Sequence, residues 1–106
     1  MSKTFTGKAV SFSWPADRVA LATMSRAKAM NTLTLDLIDE LGQALDVAAR
    51  EKARALILTG SGRAFCCGAH LDYFTDPKSP IGQGPFDLRD NYLARIAALF
   101  DRFETM

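Results

Sequence analysis

The stretch Ala53 to Leu71, "ARALILTGSGRAFCCGAHL", decides the fold. Its first part, "RALILT", is a continuous apolar run of strand length, the pattern of a strand covered on both faces in a parallel sheet. Glycine punctuation then replaces the run, and "GAHL" predicts that the chain restarts as a short helix at Gly68 and Ala69. Gly60 and Gly62 suit a tight turn. Gly68 permits close approach of a ligand to the backbone, and Ala69 adds little bulk.

Upstream, Lys8 to Ser13 and Arg18 to Met24 read as the strands of a hairpin, with "WPAD" supplying Pro15 and Asp17 for the turn. After the loop "SRAKAMN", Thr34 can cap a helix whose apolar residues Leu35, Ile38, Leu41, Leu45 and Ala49 recur at helical spacing. Asp36 falls in its first turn, where the helix dipole favours a negative charge, and Gly42 weakens the helix without ending it. A strand after a helix is the order of a parallel crossover, so the chain reads as an α/β protein. Downstream, "TDPKSPIGQGPF" (75–86) is dense in Pro and Gly and is expected to be mobile. Leu88, Tyr92, Ile96, Leu99 and Phe103 then mark a second amphipathic helix running to the end of the chain.

Composition narrows the function classes. The 106 residues, 48% of them hydrophobic, bound the chain to one folded unit. Thirteen basic and 12 acidic side chains leave a net charge of +1, which argues against wrapping nucleic acid or coating an anionic membrane. "MSKTFTGKAV" lacks the apolar core of a signal peptide and no run approaches the roughly 20 apolar residues of a membrane span, so a cytoplasmic location is expected. Cys66 and Cys67 are adjacent, which suits neither a disulfide framework nor C-x-x-C metal spacing, and with His70 as the only histidine no metal site is expected. The order ββ, α, β, loop, α offers a covered strand few neighbours. We therefore expect residues 1–106 to be an incomplete domain, or one of two pieces of one.

Four chemistries compete at these residues. Gly60 and Gly62 after a strand suggest dinucleotide binding, but Phe65 occupies the third glycine position and G-K-[ST] is absent, which leaves a plain tight turn. Cys66 or Cys67 could be a nucleophile with His70 as base, or simply pack the turn. Arg26 and Lys28 could receive phosphates, or face water. Finally, a helix beginning at Ala69 would leave its N–H unpaired, able to hold the negative charge that develops on a thioester oxygen as an enolate forms, or to be solvated by water.

Two blocks of the sequence carry a resemblance. "VALATMSRAKAMNTLTLDLIDEL" is similar to a strand followed by N-R-P-x-x-x-N-A-L and a capped helix, and "ARALILTGSGRAFCCGAHLDYF" is similar to V-x-x-x-x-L-T-G-x-G-x-x-F-[SC]-x-G-x-D-L. From about Val10 to its end the chain resembles the N-terminal portion of the crotonase, or enoyl-CoA hydratase/isomerase, family. That resemblance implies a crotonase-like ββα spiral, present as its N-terminal part, and a hydratase-like lyase acting on an acyl-CoA thioester. It implies that the Ala69 N–H is one of two oxyanion-hole donors and that the segment Ala64 to Asp72, with Cys66, Gly68, His70 and Leu71, runs beside the coenzyme A chain. Arg26, Lys28 and Ala29 match the loop touching its phosphates and pantetheine, while Tyr73 and Phe74 stand where the acyl pocket begins or serve the core. No permanently bound cofactor is implied, coenzyme A being part of the substrate, and the complete protein is expected to be a homo-oligomer, a trimer or hexamer. The chain departs from the family pattern at His70, where Asp is usual, at Ser25-Arg26-Ala27 in place of N-R-P, and at "DRFETM", beyond which the family carries its second oxyanion N–H and its acid/base carboxylates. Glu40, Glu51 and Glu104 show no paired arrangement and are not assigned to catalysis. By these expectations the chain positions an acyl-CoA and does not turn over alone; the alternative is a non-catalytic acyl-CoA-binding or assembly module.

Overall fold

A computed structural model describes residues 3–76, 78–81 and 84–105. Its centre is a four-stranded sheet in the order β1-β2-β3-β4, formed by Phe5–Thr6, Val10–Ala16, Val19–Met24 and Ala55–Gly60. The first pairs are antiparallel, and β4 joins β3 in parallel from Val19↔Ala55 to Met24↔Gly60. The hairpin turn is tighter than the sequence predicts. β2 continues through Trp14 and Pro15 to Ala16, which partners Val19. Pro15 therefore lies in the strand, within the interval between Ser13 and Ala16 where the register slips, a place that spares the ladder a missing N–H. The reversal falls to Asp17 and Arg18, the latter at φ 56°.

The crossover helix α1, Leu35–Arg50, lies against β2 and β3. Thr34 caps it as expected, its Oγ1 accepting from the Leu37 N–H at 3.2 Å. Its buried stripe is broader than the predicted one: Leu37, Ala44, Val47 and Ala48 join Ile38, Leu41 and Leu45, while Leu35 is half-buried and Ala49 faces out. The sheet supplies Val10, Phe12, Ala20, Ala22 and Met24 to the same core, alternate residues of strands with one covered face.

After β4 comes a four-residue helix, α2 at Asp72–Thr75, and then a long helical segment. That segment begins as α3, Pro85–Leu88, widens into a π turn over Arg89–Leu93, and ends as α4, Ala94–Glu104. The π turn is a departure from the regular helix that the spacing suggests. α4 lies on α1, where Arg95 pairs with Asp39 and Arg102 with Asp46. Within the loop 75–86, Pro77, Gly82 and Gln83 lie outside the described residues, whereas Ile81 is buried in the core.

β4 corrects another expectation. It alternates rather than lying covered on both faces: Leu56 and Leu58 pack on the core, while Ile57 remains 47% exposed. Among the described residues no strand pairs with its outer edge, and no helix is long and apolar enough to cross a membrane.

Candidate functional site

Residues Ser61 to Leu71 fold back along the loop that precedes α1. The Ser61 N–H donates to the Met24 carbonyl at 2.8 Å, so the turn starts flush with the end of β3. Gly60 is required by close approach, because a Cβ there would sit 2.5 Å from the Phe65 carbonyl oxygen. The Cys67 N–H then donates to the Met30 carbonyl at 3.1 Å, and the Leu33 N–H to the Gly68 carbonyl at 2.8 Å.

These bonds recruit Ala69 into a parallel bridge with Leu33 instead of a helix. The expected helix start at Gly68 and Ala69 is thus incorrect, since the same backbone cannot serve a ladder and a helical turn. The helix starts at Asp72, and its dipole does not begin at Ala69. What survives is the free donor. Gly68 at φ 96° holds the chain in a form that side chains disfavour, and its carbonyl is anchored to Leu33. In a trans peptide the carbonyl and the following N–H point in opposite directions, so the bond to Leu33 sends the Ala69 N–H away from Leu33. Among the described residues that N–H has no hydrogen-bond partner.

Ala69 borders an open cleft of about 410 Å³ together with Ala29, Thr32, Cys67, His70, Leu71 and Asp72. The cleft brings together Ala29, Cys67, Ala69, His70, Leu71 and Asp72 of the residues named from sequence. Cys66 and Gly68 instead border an apolar pocket of about 260 Å³ that includes Met24, Leu33, Leu58 and Phe103, as alternation along an extended segment requires. Arg26, just before the 3₁₀ turn Ala27–Ala29, and Lys28 within it stand exposed, and among the described residues their side chains have no hydrogen bond or ion pair. The Ala64 carbonyl is turned to Asn31.

His70 is held in place from two directions. Its Nδ1 lies 2.9 Å from Thr32 Oγ1, and its Nε2 lies 3.5 Å from Asp72 Oδ2. The imidazole is thus engaged with these two groups and is not hydrogen-bonded to either cysteine, while Cys67 Sγ lies 3.6 Å from Met30 Sδ. Tyr73 serves the core, its hydroxyl accepting from the Leu35 N–H, an orphan donor of the first turn of α1, at 3.0 Å. Phe74 stays partly exposed beside a second cleft shared with Tyr73 and Leu88. Glu40 holds the N-terminal segment, its carboxylate accepting from the N–H groups of Lys8, Ala9 and Val10.

Two residues at the heart of this arrangement escape a reading from sequence. Asn31 is fully buried; its Oδ1 accepts from the Arg26 N–H, and its Nδ2 donates to the carbonyls of Ser61 and Ala64. Tyr92 is also fully buried, and its hydroxyl accepts from the His70 N–H at 2.9 Å while donating to the Leu33 carbonyl at 2.6 Å. A signal for Tyr92 existed: a tyrosine on the core face of a helix needs a partner for its hydroxyl.

Burial pushes the Tyr92 phenol above its ordinary value of 10.0; the His70 N–H acts in the opposite direction, and Tyr73 and Cys66 add to the rise. The folded state therefore holds this proton more tightly than the unfolded chain does. Tyr92 contributes stability that is fully present below the usual tyrosine pKa of about 10 and is lost as pH climbs through the raised folded value. Urea titrations between about pH 8 and 11 should show stability falling at the alkaline end, and Tyr92→Phe should flatten that part of the slope.

The family model described as enoyl-CoA hydratase/isomerase matches residues 16–96. The "Probable enoyl-CoA hydratase" of Mycobacterium bovis is 43% identical over 56 residues, covering 53% of this chain and 23% of that protein. The mitochondrial enoyl-CoA hydratase of Pongo abelii is 44% identical over 54 residues, covering 50% of this chain and 19% of that protein. Among solved structures, the enoyl-CoA hydratase of Bacillus anthracis superposes with a TM-score of 0.73 at 28% identity, covering 90% of this chain and 35% of that one. The chain spans about a quarter of the length of the curated relatives it matches. With β3, α1, β4 and the glycine-punctuated turn all inside the matched residues, the chain belongs to the enoyl-CoA hydratase/isomerase family, and its fold is the N-terminal part of the crotonase spiral.

Proposed function

We propose that the chain binds an acyl-CoA thioester and presents the Ala69 N–H to its carbonyl oxygen as one donor of an oxyanion hole, within an enzyme that adds water across a conjugated double bond. The observation that carries this reading is the Ala69 N–H, unpartnered among the described residues, beside an open cleft and in a backbone anchored on the opposite side. Such a donor interacts most strongly with the oxygen as negative charge grows on it, and loss of one typically costs about 3 to 4 kcal/mol of transition-state stabilisation.

In this reading Ala29, His70, Leu71 and Asp72 line the path of the pantetheine arm. Ala64, Cys66 and Gly68 give that path its backbone, and Arg26 and Lys28, exposed on their turn, meet the phosphates. Coenzyme A is carried by the substrate and is not a resident group. The second donor and the acid/base carboxylates come from a companion segment or chain, and the complete assembly is a homo-oligomer. A non-catalytic acyl-CoA-binding module is the second reading, in which the same cleft and the same Ala69 N–H hold the thioester and no acid/base carboxylate is brought to it.

Calorimetry with butyryl-CoA, free coenzyme A, ATP and NAD tests the shared core of both readings. Butyryl-CoA is expected to bind most tightly. Tighter binding of NAD would overturn the proposal in favour of a nucleotide site at the Gly60 turn.

A further inference from the structure

We propose that Tyr92 is a positioning residue for the Ala69 donor: its hydroxyl ties the His70 N–H to the Leu33 carbonyl and so fixes the direction in which the Ala69 N–H points. The inference rests on the reading that a thioester carbonyl sits at Ala69.

The two peptide groups flanking the Ala69 Cα are clamped at different atoms. On one side, the Gly68 carbonyl accepts from the Leu33 N–H at 2.8 Å. On the other, a regular parallel ladder would run a bond from the His70 N–H to the Leu33 carbonyl. Here the Tyr92 hydroxyl stands between those groups, accepting from the first at 2.9 Å and donating to the second at 2.6 Å. The Ala69 N–H is the donor left between the two clamps.

Such a clamp has work to do at this position. Gly68 lies at φ 96°, and as a glycine it has a wider range of backbone conformations than any other residue, so no side chain at position 68 fixes the orientation of the Gly68–Ala69 peptide plane. Hydrogen bonds must supply the orientation that packing does not. Tyr92 is suited to this because it is fully buried, and its ring is held edge-on by Tyr73 at 5.1 Å and Phe74 at 5.9 Å between centroids. It reaches the site from the π turn, where one wider turn interrupts the long helix. The role also requires a group that donates and accepts at once, which a phenol does and a phenylalanine ring cannot.

The test uses the full chain, wild type and Tyr92→Phe, with butyryl-CoA and its thioether analogue butyl-CoA, which has no carbonyl oxygen to meet the Ala69 N–H. The wild type is expected to prefer the thioester by about tenfold, the worth of one well-aligned hydrogen bond. Tyr92→Phe should bind the thioether within about twofold of wild type while its thioester preference falls below about threefold. Preservation of the full preference overturns the inference, and so does an equal weakening of both ligands, which is the signature of a packing role alone. A wild-type chain with no thioester preference strikes the thioester reading itself, and the positioning role falls with it. If Tyr92→Phe does not fold, amide hydrogen exchange on the wild type decides: the His70 amide should exchange at least about a hundredfold more slowly than the Ala69 amide. Equal exchange at the two amides overturns the clamp.

Discussion

Replacing Asn31 by alanine is expected to lower the free energy of unfolding by about 3 to 4 kcal/mol, a large share of the stability of so small a domain. The Asn31 side chain is fully buried and ties the loop before α1 to the turn after β4: it accepts from the Arg26 N–H at 2.8 Å and donates to the Ser61 and Ala64 carbonyls at 3.1 and 3.0 Å. Each of these bonds contributes about 1 kcal/mol net, and their removal leaves backbone groups to be solvated in a half-buried setting. A further cost of about 1 kcal/mol arises because Asn31 lies at φ 53°, a left-handed conformation that asparagine tolerates and alanine does not. Asn31→Gly separates the two contributions. It should recover about 1 kcal/mol relative to Asn31→Ala while remaining well below wild type. Urea unfolding of the three proteins gives the comparison, and an Asn31→Ala midpoint indistinguishable from wild type would show that the loops hold each other without the amide.

Ala69→Pro should abolish the preference for a thioester over its thioether analogue and, in an active enzyme containing this chain, lower kcat by about 10² to 10³-fold. The donor is a main-chain N–H, so only a change to the backbone tests it. Proline removes that N–H outright, and no internal hydrogen bond is sacrificed because the Ala69 N–H has no partner among the described residues. Ala69→Gly is the companion control: it keeps the N–H and should keep the thioester preference. Near-normal turnover or an unchanged preference in Ala69→Pro, with circular dichroism matching wild type, would remove Ala69 from the mechanism.

Much of this architecture was legible before any coordinates. Thr34 announces α1 because a hydroxyl at that position satisfies an orphan donor, and the apolar spacing from Ile38 to Leu45 places one face of the helix on the sheet. The parallel crossover follows from a helix feeding an apolar run. Less legible was the extent of the buried stripe on α1, which takes in Leu37 and Val47, since the helix packs on both the sheet and α4 and local periodicity sees only one packing direction. Pro15 misled because proline is both a turn former and a tolerated guest at a ladder irregularity, and only the pairing of Ala16 with Val19 distinguishes the two.

The sequence by itself determined the hairpin, α1, β4 and the C-terminal helix, their order and the family, because helix caps, apolar period and glycine punctuation are local properties written within a few residues of where they act. Tertiary structure alone decided the state of the Ala69 N–H. Whether a backbone group is free depends on which distant atoms occupy its neighbours: Leu33 takes the Gly68 carbonyl, Tyr92 takes the His70 N–H, and Ala69 is left open between them. Those partners lie 35 and 22 residues away along the chain, beyond the reach of any local pattern.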